Sequence, residues 1–208
     1  MILAMKNPIF EYCRFQSLPR GLMSDGDSHR RSFAQRAELS GGVLFGCWRS
    51  VVGLGLARDE GIALTAWPDQ ASARAAPVVE GAEQVILSAT LRPTDDKIPT
   101  SPGVYVFRWF GIEQQNWDAF AEISDAAWPN MESVFDTKIY GFWRSLESAQ
   151  DRDDVLLLTR YADLSVWEAS RWWNNPVKEA NESMSRFARR NDMIDSTIAY
   201  PSFLINEQ

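Results

Sequence analysis

The chain has 208 residues, of which 45% are hydrophobic and 24% charged, a composition typical of a globular protein that can bury a substantial core. Its formal net charge of −7 argues against a broad phosphate-binding surface, so nucleic acid is excluded as a favoured partner. No run approaches the roughly 18 apolar residues of a membrane span. Cys13 and Cys47 are too few for a disulfide framework, so we expect a soluble, cytoplasmic protein.

The first half of the chain predicts four strands and two helices. Alternating β-forming residues indicate a strand over residues 10–17, and the Ser/Asp-rich start of SDGDSHRRSFAQRAEL indicates a helix that ends at Gly41 and Gly42. Strands at LFGCWRS and GIALTAW are joined by a hairpin loop around residues 53–60. A short helix with Asp69 near its N-cap and a strand over residues 84–92 complete the order β-α-β-β-α-β.

The second half repeats the first at a nearly constant offset. GCWRSV at residues 46–51 returns as GFWRSL at 141–146, and GIALTAWPD at 61–69 returns as VLLLTRYAD at 155–163. FEYCRF at 10–15 matches VYVFRW at 104–109, which aligns Arg14 with Arg108. Three collinear matches predict two copies of one unit, over residues 7–94 and 102–208, with a linker at 95–101.

The second copy differs from the first in its helices. It has a longer first helix, from Asn116 to about Phe135, which Pro129 is expected to end or bend. Its last strand is predicted over residues 197–205, and NNPVKEANESMSRFARRND before that strand indicates an added helical segment. We interpret this segment as a cap over one end of a barrel.

A barrel is expected because each four-stranded sheet leaves one apolar face bare, and two units can bury these faces against each other. KIYGFWRSLES with DDVLLLTRYADLSVWEASRWW, and the copy GVLFGCWRSVVGL with EGIALTAWPDQASARAA, resemble the dimeric α+β barrel superfamily, specifically NIPSNAP-like domains. The resemblance implies an α+β fold of two ferredoxin-like repeats in one chain with facing sheets. The protein would be a monomer with a pseudo-dimeric barrel, or a homodimer.

A looser similarity, to spheroidene-monooxygenase-like proteins, lies in LTAWPDQASARAA and in the long last helical region. Those proteins are thought to use haem. The only histidine here, His29, precedes the first predicted helix in a polar segment, where we expect it to be exposed and inert. The two cysteines have no metal-ligand spacing, so we expect neither a cofactor nor a metal.

Strand alternation predicts which side chains face the barrel interior. On the first strands, the interior set is Tyr12, Arg14, Val106 and Arg108, while Cys13, Phe15, Phe107 and Trp109 pack under helices. On the second strands, the interior set is Phe45, Cys47, Arg49, Tyr140, Phe142 and Arg144, while Trp48 and Trp143 share the other face with Gly46 and Gly141.

The arginines are the strongest indication of a binding or catalytic site in this pattern, because a buried guanidinium needs an oxygen partner. The candidate catalytic residues are Arg108, Arg14, Tyr140 and Tyr12, and the candidate substrate-binding residues are Arg49, Arg144, Phe45, Trp67 and Tyr161. The alternative is that the arginines form ion pairs at the barrel rim, with Asp69, Asp163 or Glu60 as partners, and that the aromatic residues are core.

Three functions remain open from the sequence. The first is a metal-free enzyme (monooxygenase, lyase, isomerase or cyclase) acting on a small hydrophobic molecule, aromatic or polyketide-like, with arginines stabilising an oxyanion and a tyrosine moving a proton. The second is a non-catalytic protein that binds a small ligand. The third is a haem-dependent oxygenase or dehydratase. None requires nucleic acid or a membrane as a partner.

Overall fold

A computed structural model describes residues 8–17, 26–171, 173 and 178–206. The strands are β1 Ile9–Gln16, β2 Val43–Ser50, β3 Glu60–Trp67, β4 Glu83–Arg92, β5 Val104–Glu113, β6 Thr137–Ser145, β7 Arg152–Tyr161 and β8 Ser196–Leu204. The α-helices are α1 Gly26–Leu39, α2 Gln70–Ala75, α3 Trp117–Val134, α4 Leu164–Ala169 and α5 Asn181–Asn191. Within the described residues, no helix is both long and apolar enough to cross a bilayer.

The eight strands form one closed antiparallel barrel in the order β1-β3-β2-β8-β5-β7-β6-β4. The first four strands come from one β-α-β-β-α-β unit and the last four from the other, and the pairs β2–β8 and β4–β6 join the two sheets. The prediction of two fused ferredoxin-like units whose sheets form an α+β barrel is confirmed. The unit boundaries at residues 7–94 and 102–208 stay a prediction.

The barrel interior is a packed aromatic core. Its buried members include Phe10, Tyr12, Phe45, Trp48, Tyr105, Phe107, Tyr140 and Trp143. The repeated hexapeptide explains how two indoles fit, because a Cβ at Gly46 would lie 2.3 Å from the Trp48 ring and one at Gly141 would lie 1.8 Å from the Trp143 ring. Each glycine therefore makes room for the tryptophan two residues later.

The predicted faces of β2 and β6 are wrong for the arginines, for Cys47 and Phe142, which lie outside the barrel, and for Trp48 and Trp143, which lie inside it. Phe45 is skipped in the pairing of β2 with β3, and the corresponding residue is skipped in β6, so both strands carry a β-bulge. A bulge shifts the alternation by one residue. Phe45 and Trp48 therefore both lie inside the barrel, while Arg49 and Arg144 lie on its outer surface.

The predicted superposition of Arg14 on Arg108 is also wrong. Tyr12 pairs with Leu64 and Phe107 with Leu158, so β1 and β5 correspond at an offset of 95 residues (12 to 107) rather than 94. Arg14 then corresponds to Trp109, inside the barrel, and Arg108 lies outside it. The physical reason is that Tyr105 and Phe107 fill the interior, which forces the alternate side chains of β5, Val106 and Arg108, to the helix side.

Two helices of the second unit cover the outer surface of β5, β6 and β7. The predicted range of α3, from Asn116 to about Phe135, agrees with the observed helix, and Pro129 lies within it rather than ending it. Helix α5 packs against α3, with Met184 and Phe187 buried in the cluster between these helices and the sheet. The added segment therefore covers the side of the barrel rather than its end, and its residues 174–177 lie outside the described part of the chain.

Candidate functional site

The predicted site residues do not meet in one pocket. Arg14 lies at one end of the barrel and forms an ion pair with Glu83, with Nη2 2.7 Å and Nε 3.0 Å from Oε2. Its Nη1 lies 3.4 Å from the Tyr200 hydroxyl and 3.9 Å from Glu60. Arg14 therefore forms an ion pair at the barrel rim, which is the alternative that the sequence left open for the arginines.

Arg49 and Arg144 stack on aromatic rings of the outer surface instead of facing a ligand between the sheets. The Arg49 guanidinium carbon lies 5.0 Å from the centre of the Phe203 ring. Arg144 lies over Trp117 at 5.1 Å and donates from Nε to Asp153 at 2.7 Å. Both arginines are thus explained by packing on the barrel wall.

The predicted aromatic residues divide among three places. Phe45 and Tyr140 belong to the barrel core, and Tyr12 lies in the same core below Arg14. Trp67 is fully buried on the outer surface beneath α2. Tyr161 is on the outer surface of the second unit, where it lines the same cavity as Arg108.

Arg108 and Tyr161 belong to a pocket between the outer surface of the barrel and helices α3, α4 and α5. We call it the arginine pocket, because Arg108, Arg171 and Arg190 all line it. It consists of two adjoining cavities of about 60 and 260 Å³. Its other walls include Phe110, Trp128, Met131, Ile139, Leu157, Thr159, Trp167, Trp173, Phe187 and Ile194.

The charges in this pocket are poorly balanced. No carboxylate among the described residues forms an ion pair with Arg108, and Arg171 has only Glu168, at 3.6 Å. Arg190 donates from Nη1 to the Ser124 hydroxyl at 3.1 Å, while its Nε is buried without a partner in the described structure. Burial lowers the pKa of both Arg108 and Arg190, and proximity to Arg108 lowers that of Arg190 further.

Aromatic rings surround these cations. The Arg190 guanidinium lies 4.8 to 5.3 Å from the centres of the Phe187, Phe110 and Phe120 rings. Arg171 lies over Trp167 at 4.2 Å and over Trp173 at 5.0 Å. Cation–π contacts partly compensate the buried charges but leave their hydrogen-bond donors available to oxygen atoms.

The described part of the first unit is packed differently at the place that corresponds to this pocket. By the strand register, Cys13 stands where the second unit has Arg108, and Trp67 stands where it has Tyr161. Cys13 packs there with Phe15 and Phe33 under α1. The pocket therefore depends on arginine rather than cysteine at this strand position, and on α5, which has no counterpart between α2 and β4 of the first unit.

Arg171 and Arg190 were not among the predicted residues. A signal for Arg190 exists, since it follows Met184 and Phe187 at a spacing that places all of them on one face of a helix. An arginine on the apolar face of an amphipathic helix is unusual enough to mark a site. Arg171 carries no comparable signal, because the sequence around it, WEASRWWNN, mixes polar residues with tryptophans and shows no single apolar face.

The donor set of the arginine pocket does not fit a histidine- or cysteine-ligated haem. His29 lies within α1 of the first unit, half-buried, with its Nε2 3.0 Å from the Ser17 hydroxyl and its ring against Phe15. The predictions that it precedes the helix and that it is exposed are both wrong. Both cysteines are buried under the same helix. Within the described residues, no group of three or more His, Cys, Asp or Glu side chains could hold a metal.

No known protein family matches the sequence, and no curated protein is similar enough to count as a relative.

Solved structures do match. An anthrone oxidase-like protein has a TM-score of 0.57 and 11% identity, covering 97% of this chain and 92% of its own. Chlorite dismutase from Candidatus Nitrospira defluvii has a TM-score of 0.56 and 7% identity over 97% of this chain and 92% of its own. A proposed monooxygenase from Lactobacillus acidophilus has a TM-score of 0.53 and 8% identity over 96% of this chain and 100% of its own. Identities this low show the fold alone, and by that measure the chain has the ferredoxin-like α+β fold of these proteins.

Proposed function

We propose that this protein is a small-molecule enzyme that binds a hydrophobic, aromatic or polyketide-like compound in the arginine pocket by an anionic oxygen. The observation that carries the proposal is Arg108, a largely enclosed guanidinium with no carboxylate partner among the described residues, beside the buried and partly unpaired Arg190. A carboxylate, phenolate or enolate oxygen of a ligand would supply the missing counter-charge.

The pocket walls support the hydrophobic part of this ligand. Trp128, Trp167 and Phe187 provide flat apolar surfaces that suit a planar ring system. The arginines would stabilise negative charge that develops on the ligand oxygen, and the Tyr161 hydroxyl would move a proton at the same place. The chemistry therefore requires no metal ligand from the protein.

The solved neighbours support oxygenation as the reaction class. One is an anthrone oxidase-like protein and another is a proposed monooxygenase, and both have the fold of this chain. Fold alone does not carry function to a new chain. The class is therefore proposed on the pocket and the neighbours together.

Native mass spectrometry of the protein purified from its own host tests the proposal. We expect a hydrophobic anion in wild-type protein that is absent from Arg108→Leu. Wild-type protein incubated in air with an excess of the released ligand should convert that ligand to product. Tyr161→Phe should still bind the ligand but convert it at least tenfold more slowly.

Two outcomes would contradict this reasoning. A ligand retained by Arg108→Leu would place binding elsewhere. Binding without conversion would support the alternative, a non-catalytic protein that carries or senses the same anion.

A further inference from the structure

A second cavity, of about 440 Å³, opens at one end of the barrel. We call this end the barrel mouth; β1 and β5 end there, and β3, β4, β7 and β8 begin there. The cavity exists because the two units close the mouth differently. The loop between β2 and β3 buries Leu56 in the barrel core, whereas no residue of the loop 146–151 between β6 and β7 is buried.

The floor of the cavity is aromatic and apolar. Trp109 and Tyr200, both partly exposed, pack against the barrel core from its open side, and Ile198 continues this surface outwards with half of its area exposed. An indole and a phenol ring presented to a cavity form a surface to which organic cations bind by cation–π attraction as well as by apolar contact.

The cationic groups at the mouth are already engaged. Arg14 is bound to Glu83, and Arg152 donates to Asp154 at 3.2 Å and to the Ser196 hydroxyl at 2.7 Å. Gly111 allows this position of Arg152, because a Cβ there would lie 1.9 Å from its Nη2.

One carboxylate of the cavity lining has no ion-pair partner among the described residues. Glu147 lines the cavity and forms no ion pair with any described residue. Glu60 also faces the mouth, 3.9 Å from Arg14, which Glu83 already binds. The balance of charge at the mouth is thus negative, opposite to that of the arginine pocket.

A buried polar atom lies directly beneath this cavity. Tyr12 is only 1% exposed, and its inaccessible hydroxyl has no hydrogen-bond partner of good geometry among the described residues; the Trp109 side chain makes only a weak polar contact with it. The charged and phenolic groups that act on it are Glu83, Tyr200 and Arg14, all at the mouth. The Trp109 ring is perpendicular to the Tyr12 ring, with 5.2 Å between the ring centres. A buried hydroxyl costs free energy unless it is paired, and this one is directed at the mouth.

We propose that the barrel mouth is a second binding site and that it takes a small protonated organic amine with an apolar or aromatic body. The ammonium group would meet Glu147 and the neighbouring carboxylates, and the apolar body would lie on Trp109 and Tyr200. The site lies on the opposite face of β5 from the arginine pocket, because Trp109 faces into the barrel and Arg108 faces away from it; among the described residues the two linings share only Phe110, Thr197 and Ile198.

Calorimetric titration with benzylammonium, and with benzoate as its anionic counterpart, tests the site in the full-length protein. Benzylammonium should bind to wild-type protein in the millimolar range and to Arg108→Leu with unchanged affinity. Glu147→Lys should weaken benzylammonium binding at least tenfold, because the replacement reverses the charge of the site. The fold should tolerate it, because the Glu147 side chain is exposed. Glu38→Lys, an equally exposed charge reversal in α1 at the other end of the barrel, is the matched control and should bind as wild type.

A second variant reports on the floor. Tyr200→Leu removes the phenol ring from the floor, so it should weaken benzylammonium about threefold. Tyr12→Phe removes only the inaccessible hydroxyl, so it should leave the melting temperature unchanged or higher and bind benzylammonium as wild type does. Absence of saturable benzylammonium binding, or binding that Glu147→Lys leaves intact, would overturn the proposal. Stronger binding of benzoate than of benzylammonium in Arg108→Leu, where the arginine pocket is disabled, would also overturn it.

Discussion

Replacing Arg108 by leucine should stabilise the empty protein, which is unusual for a largely enclosed residue. A cavity of about 260 Å³ is about 8 Å across if spherical, and Arg108 and Arg190 both line it. Two like charges at about 8 Å in an effective dielectric constant of about 20 repel each other by about 2 kcal/mol. Leucine retains much of the apolar contact of the arginine stem, so we expect a net gain of about 1–2 kcal/mol in the free energy of unfolding.

Thermal denaturation followed by circular dichroism measures this gain. For a domain of this size it corresponds to a rise of about 2–6 °C in the melting temperature. Benzoate at about ten times its dissociation constant should add about 1.4 kcal/mol to the stability of wild-type protein and nothing to Arg108→Leu. Arg74→Leu, which removes an exposed arginine from α2, is the control and should respond to benzoate as wild type does.

The reasoning is refuted if Arg108→Leu melts at a lower temperature than wild type without ligand. That result would mean that Arg108 has a stabilising partner and is part of the architecture. Equal benzoate shifts in both proteins would likewise remove Arg108 from the anion site.

Three further predictions concern the fold and the cofactor. Gly141→Ala should destabilise the protein by about 2–4 kcal/mol in urea denaturation, because the new methyl group would overlap the Trp143 ring; a loss below about 0.5 kcal/mol would contradict the packing argument. Glu11→Ala should cost about 3 kcal/mol, because Glu11 is 2% exposed and binds Arg36 through two hydrogen bonds of 2.8 and 2.9 Å; an unchanged urea midpoint would show that the pair is dispensable. Protein expressed with iron and a haem precursor should show no Soret band, because the arginine pocket contains neither histidine nor cysteine, and a stoichiometric band would refute this expectation.

Much of the fold could be predicted from the sequence. The internal repeat and the strand and helix signals depend on local side-chain chemistry, so they predicted the element order, with the last strand placed within one residue of its observed range. The pairing of Gly46 with Trp48 and of Gly141 with Trp143 was also visible as a spacing of two residues. Such patterns are local, and a barrel of two facing sheets follows from them because each sheet has one apolar face to bury.

The placement of the arginines was decided by the tertiary structure. A bulge at Phe45 and its counterpart in β6 moves Arg49 and Arg144 to the outer surface, and nothing in the local sequence marks a bulge that is forced by ring packing inside a closed barrel. Likewise, a shift of one residue between β1 and β5 reverses every side chain, so Trp109 rather than Arg108 faces the interior. Register and phase depend on which side chains fill the shared interior best. That competition involves all eight strands at once, so only the closed barrel decides it.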